Sequence, residues 1–208
     1  MRLTGKRIAF LLDEGFEDLE FWVTVMRLRE EGAVVTIISK DAKKEYRGKN
    51  ALTATSDVSI KDVKSSDFDA VVVPGGWAPD KLRRYAEIKN FIKEFDDAGK
   101  IVGLICHAGL VGISAGIVKG HTATGSLGIK DDLVNAGATW VDEPAFRSGN
   151  IVWGRVVADI PDFCRLIHER CFSLFKPILV FAFLWLFPCR CVHCSGKPPQ
   201  KHPENLFL

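Results

Sequence analysis

With 208 residues, 47% of them hydrophobic and 26% charged, the chain is long enough to bury a core of its own, and its composition excludes collagenous, low-complexity and disordered classes. Lys and Arg number 28 against 26 Asp and Glu, a formal charge of +2, so the total shows no electrostatic footprint of nucleic acid binding. Of the six Cys only Cys106 precedes residue 164, and no apolar signal core precedes the first strand; this excludes a secreted disulfide framework and predicts a cytoplasmic protein.

Residues 7–12 (RIAFLL) form a short apolar run, as in a strand covered on both faces. Gly15 and a group of acids break it. Leu19, Trp22, Val23, Met26 and Leu28 then recur at helical spacing up to Gly32, a natural C-cap. Residues 34–39 (VVTIIS) are the next β-branched run. Between 43 and 60 the sequence is polar and alternating, with Arg47-Gly48-Lys49-Asn50 as a turn, which predicts a small hairpin. Residues 70–73 (AVVV) read as a buried strand that stops at Pro74-Gly75-Gly76, and a helix follows with Ile88, Phe91, Ile92 and Phe95 on one face. Residues 101–105 are the fourth apolar strand and run directly into Cys106-His107-Ala108-Gly109. Shorter helical segments at 110–115 and 129–135 and strands at 122–124, 139–141 and 151–153 complete the pattern. The repeated order predicts an α/β fold: a doubly wound, mostly parallel sheet sandwiched by helices, flavodoxin-like, with an atypical C-terminal tail.

In such sheets the functional crevice lies beyond the C-terminal ends of the strands. Three of those ends carry unusual residues. Cys106 sits where a strand enters a helix, a turn that projects its residue out of the sheet. Unpaired N–H groups there lower a thiol's pKa, although a free Cys in that place reads equally as a small buried hydrophobe. His107 is the obvious base, but neighbours on a regular helix do not face each other, so a strained elbow or an orienting group from elsewhere is required. Glu17 and Glu20 lie at the start of the first helix. Acids favour a first turn, which suffices for Glu17 and Asp18; Glu20, between Leu19 and Phe21, fits that explanation less well and could exchange a proton with Cys106. Gly75 and Gly76 form either an ordinary strand-ending turn or, with the His107 N–H, an oxyanion hole.

Together the segments FEDLE (16–20), VVVPGGWAPDKLR (71–83), GLICHAG (103–109), GIKDDLVNAGATWVD (128–142) and RVVAD (155–159) resemble the ThiJ/PfpI superfamily, within the class I glutamine amidotransferase-like fold, and most closely its PfpI intracellular protease/deglycase branch. The resemblance runs over residues 6–165. It implies Cys106 as nucleophile, His107 as its partner, Glu20 as the carboxylate touching the thiol and Glu17 as a second acid in the pocket. It also implies an acid reaching this pair from a neighbouring subunit: here Asp80, one methylene shorter than the family's usual Glu, in a homodimer or larger assembly. Ser126-Leu127 stand where close relatives carry Tyr-Pro, so a substrate-binding wall at Ser126 would be more open. The implied activity needs no cofactor and no metal. Its substrate is a small reactive carbonyl or a glycated protein or peptide, as in glyoxalase III and deglycase relatives, or a peptide bond, as in a cysteine peptidase. A redox-sensing stress protein or chaperone is the alternative use of the same Cys.

This reading divides the chain into a ThiJ/PfpI-like domain, 1–165, and an atypical tail, 166–208, which holds four Cys and five of the nine Pro. Its apolar run 178–187 is too short for a bilayer, which takes about twenty residues, so membrane contact is not the expectation. Cys189, Cys191, His193 and Cys194 lack the usual spacing of a zinc site. The abrupt switch in composition reads as a changed frame or alternative terminus.

Overall fold

A computed structural model of the chain describes residues 2–173. The tail's apolar run and its Cys/His group lie outside the described residues.

The apolar runs become strands because each finds cover for both faces. In chain order, β1 (Arg7–Leu11), α1 (Asp18–Glu30) and β2 (Val34–Ser39) come first, followed by the hairpin strands β3 (Glu45–Arg47) and β4 (Thr53–Thr55) and a short β5 (Val58–Ser59). The middle of the chain supplies β6 (Ala70–Val73), α2 (Ala78–Leu82), α3 (Ala86–Asp97), β7 (Ile101–Ile105) and α4 (Gly109–Ala115). Then come β8 (Thr122–Ala123), α5 (Lys130–Asn135), β9 (Thr139–Trp140), β10 (Ala145–Ser148), β11 (Ile151–Gly154) and α6 (Ile160–Ser173).

Seven strands make the main sheet in the order β10-β11-β7-β6-β1-β2-β5, and every neighbouring pair is parallel except β10 with β11. Strands β6, β7 and β11 are buried along their whole length. Alternate residues of β7 show why: Gly103 meets Phe163 and Ile167 of α6, whereas Leu104 packs against Gly112 of α4 on the opposite face. This is the doubly wound arrangement expected from the sequence. Residues 43–60 are more than a hairpin excursion, since β5 returns to pair with β2 at the sheet edge. The single helix expected after Gly76 is two, α2 and α3; α3 buries Ile88, Phe91, Ile92 and Phe95, the i, i+3, i+4, i+7 stripe of an amphipathic helix.

Helix α1 only partly presents the expected face: Leu28 is buried and Trp22 packs against the core, but the other three residues turn outward. Leu19, Val23 and Met26 are exposed (48%, 42% and 60%), while Glu20, Phe21, Thr24, Val25 and Leu28 face the sheet. The phase of the helix is set by its acids. Asp18 and Glu20 are both drawn inward by backbone N–H groups of other segments, and charge-assisted hydrogen bonds of that kind outweigh the placement of a few apolar side chains.

Strands β2 and β6 flank β1 on opposite sides, so the winding direction reverses at β1, and the crevice of an open α/β sheet forms at such a switch. An isolated antiparallel bridge between Phe16 and Gly76 joins the loops that follow β1 and β6 at that point.

Candidate active site

Strand β7 delivers Cys106 to this crevice. The residue has φ +59°, a left-handed conformation that a non-glycine residue adopts only where its surroundings hold it. That conformation is the elbow the adjacent Cys and His require. It turns the chain so that Cys106 Sγ lies 3.2 Å from His107 Nδ1, with no second chain needed to bring them together.

Glu20 reaches the same place from α1. It is fully buried, and its Oε2 accepts the Gly75 N–H at 2.7 Å. A Cβ on Gly75 would stand 2.6 Å from both Cys106 Cβ and Glu20 Oε2, so glycine there is the condition for thiol and carboxyl to share one space. Gly76, at φ +75°, has no room for a side chain against the Gly15 carbonyl. The two glycines divide the roles expected of them jointly. The Gly75 amide is committed to Glu20, and it is the Gly76 and His107 N–H groups that face the thiol.

The electrostatics follow from burial. Burial pushes the Glu20 carboxyl up to about 7, assisted by the charge of Glu17 and opposed by the Gly75 N–H. Burial also pushes the Cys106 thiol up to about 12, reinforced by the facing Glu20 carboxylate, and the two amides do not offset it. Of the two readings the sequence left open, a thiol lowered by the helix start and a buried one, the effect of burial prevails. Burial, and next the charge of Lys49, hold His107 below the usual histidine range, which keeps its ring neutral and able to accept a proton.

The remaining expected residues occupy varied places. Glu17 caps α1, its Oε2 accepting the Glu20 N–H at 2.8 Å and its Oε1 the Asn50 Nδ2 at 3.3 Å; it orients Glu20 and does not itself meet the thiol. Ser126 donates its N–H to the Cys106 carbonyl at 3.1 Å, while its hydroxyl caps the following turn by accepting from Gly128 N. Asp80 is exposed and ion-paired with Arg84 of its own chain, and the structure does not bring it to His107 within one chain. The β3–β4 turn lies where the sequence placed it, but its position beside the crevice, and the tie to Asp18 that holds it there, were not foreseen: Asp18 read only as a first-turn acid. Asp18 is 2% exposed and accepts from the Asn50 and Leu52 N–H groups at 2.7 Å each, fixing the turn beside the crevice. A pairing across more than thirty residues leaves no local signal. Among the described residues no group of three or more His, Cys, Asp or Glu is placed to hold a metal ion, and no helix is long and apolar enough to cross a membrane.

Residues 6–170 match the DJ-1/PfpI family. The chain is 40% identical over 163 residues to General stress protein 18 of Bacillus subtilis, covering 77% of this chain and 95% of that one. It is 37% identical over 154 residues to Deglycase PfpI of Pyrococcus furiosus, covering 74% and 92%. Among solved structures it is similar to a two-domain protein of Anabaena variabilis containing DJ-1/ThiJ/PfpI-like and ferritin-like domains, with TM-score 0.78 and 35% identity, over 79% of this chain and 48% of that one.

Proposed function

The chain belongs to the DJ-1/PfpI family, and from that premise we propose that it is a cofactor-independent enzyme whose Cys106 attacks reactive carbonyls or glycation adducts. The observation that carries this reading is the left-handed Cys106 with its thiol 3.2 Å from a neutral imidazole.

Because the thiol is held protonated, attack requires a base in contact with it. His107 Nδ1 accepts the proton as the Sγ–carbon bond forms, and the carbonyl π electrons move to oxygen. The Gly76 and His107 N–H groups stabilise the charge that develops beside them. Glu20, titrating at about 7, is equally able to give and take a proton near neutral pH, the optimum for acid–base work. With methylglyoxal the aldehyde carbon is oxidised while the adjacent ketone carbon is reduced, the hydrogen passing between them by way of Glu20. Water then releases the acyl group from Cys106 as lactate. No outside oxidant or reductant enters. As part of the same proposal the chain works as a homo-oligomer in which the partner's Asp80 faces His107.

A kinetic panel of methylglyoxal, a glycated amino acid and a fluorogenic peptide on wild type and Cys106→Ala tests the reading and separates glyoxalase, deglycase and peptidase activity. Full methylglyoxal turnover by Cys106→Ala refutes it. A second reading, an oxidation-responsive stress protein, is supported by the likeness to General stress protein 18 and by a half-buried thiol beside a carboxyl that can donate to an oxidised sulfur. Oxidation of Cys106 by mild peroxide in a chain that shows no turnover favours this second use.

A further inference from the structure

The turn joining β3 to β4 is not a free loop. The Lys49 N–H donates to the Phe16 carbonyl at 2.9 Å, and the Gly15 N–H closes onto the Arg47 carbonyl at 2.8 Å. The Asn50 and Leu52 N–H groups share the Asp18 carboxylate, and the Asn50 side chain reaches Glu17. Two acids at the start of α1, both more than nine-tenths buried, thus hold this turn, Asp18 with both carboxylate oxygens and Glu17 with the one not capping the helix. Phe16, to which Lys49 is tied, is bridged to Gly76, whose N–H faces the Cys106 thiol. By its backbone Lys49 is therefore two contacts from Gly76, which in turn faces the nucleophile. Its ammonium is exposed and, among the described residues, makes no ion pair. Its charge reaches into the crevice: it adds to the burial that lowers His107 and slightly opposes the burial that raises Glu20.

Attack on a neutral aldehyde brings this crevice no anion beyond the oxyanion, which the Gly76 and His107 N–H groups already face, so it leaves the Lys49 ammonium at the rim without a role. The Lys49 backbone is already held, so pairing with a ligand has only the side chain left to order. We propose that Lys49 is the specificity-determining residue of the pocket and pairs with a carboxylate on the substrate, so that the adducts processed at Cys106 are acidic. A single ammonium suits a monoanion, whereas a phosphate is usually met by several donors or a guanidinium fork. The proposal deepens the reading of Cys106 as nucleophile and rests on it.

Alkylation provides a test that needs no turnover. Iodoacetate and iodoacetamide react alike, forming an Sγ–carbon bond and expelling iodide while the thiol proton passes through His107 to solvent; they differ in carrying a carboxylate or an amide. Rates are followed at the Cys106 peptide by mass spectrometry, which excludes the other cysteines. The ratio of the two rates cancels any change in thiol ionisation. Lys49→Met should lower the iodoacetate-to-iodoacetamide ratio roughly fivefold at low salt, the size expected of a partly exposed ion pair, and Lys49→Arg should preserve it. An unchanged ratio in Lys49→Met overturns the proposal. In parallel, kcat/KM is measured for the hemithioacetals of methylglyoxal with N-acetylcysteine, which is anionic, and with its neutral amide. Wild type should prefer the anionic adduct by a similar factor and Lys49→Met should lose that preference. If neither hemithioacetal is turned over while the alkylation ratio falls, the enzymatic reading fails and anion selection by Lys49 stands. Turnover with no charge preference and an unchanged ratio sinks Lys49 alone.

Discussion

Replacing Glu20 by Gln keeps the shape of the side chain and an acceptor for the Gly75 N–H, and removes only the ionisable group. Glu20 is fully buried, and its carboxyl moves from 4.5, the value for an unperturbed group, to about 7 in the folded chain. Between those values the native state binds more protons than the unfolded one, so wild type loses stability as pH rises through the window. The shift of about 2.5 units, at ~1.4 kcal/mol per unit, amounts to about 3 kcal/mol in all, of which about 2 kcal/mol falls between pH 5 and 7.5. Glu20→Gln carries no such penalty. Its stability relative to wild type should therefore rise by about 2 kcal/mol across that interval, which ends well below the titration of the buried thiol. Urea unfolding followed by tryptophan fluorescence at the two pH values measures the difference, provided the m-values agree. A difference that is flat with pH would mean that Glu20 ionises as in the unfolded chain, and its role as an acid–base group near neutrality would fall with it.

Gly75→Ala places a methyl 2.6 Å from Cys106 and Glu20; it should cost roughly 1–3 kcal/mol by thermal unfolding and separate the thiol from its carboxyl, so that methylglyoxal turnover is lost. His107→Gln should lower kcat on the order of 10²–10⁴-fold while leaving Tm nearly unchanged, and a kcat within twofold of wild type would remove His107 as the base. Asp80 and Arg84 are a half-exposed pair within one short segment, so Asp80→Ala should change stability by less than about 0.5 kcal/mol. If the partner's Asp80 orients His107, the same variant lowers kcat without shifting the oligomeric state in sedimentation; an unchanged kcat dismisses that contribution.

The two glycines and the Cys-His pair were legible because each depends on local chain geometry that the residue types announce. A strand ending in Pro-Gly-Gly, and one running into Cys-His-Ala-Gly, can be placed at sheet ends without knowing what lies across from them. The exposed side of α1 was not legible. Leu19, Val23 and Met26 have the spacing of a buried stripe, and what turns them outward is a set of hydrogen bonds from Gly75, Asn50 and Leu52 to acids on the other side of the helix. Whether the thiol is raised or lowered stayed open for the same reason. A helix start argues for a lower pKa, and only the depth of the crevice and the approach of Glu20 argue against it.

The sequence by itself determined the main apolar strand runs, the mostly parallel character of the sheet and the turns that end β6 and β7, since apolar periodicity and glycine placement act over a few residues. Tertiary structure alone decided which protonation states the site holds and which cation overlooks it. Those properties depend on burial and on charges brought together from segments thirty to ninety residues apart, and no local pattern of residue types encodes either.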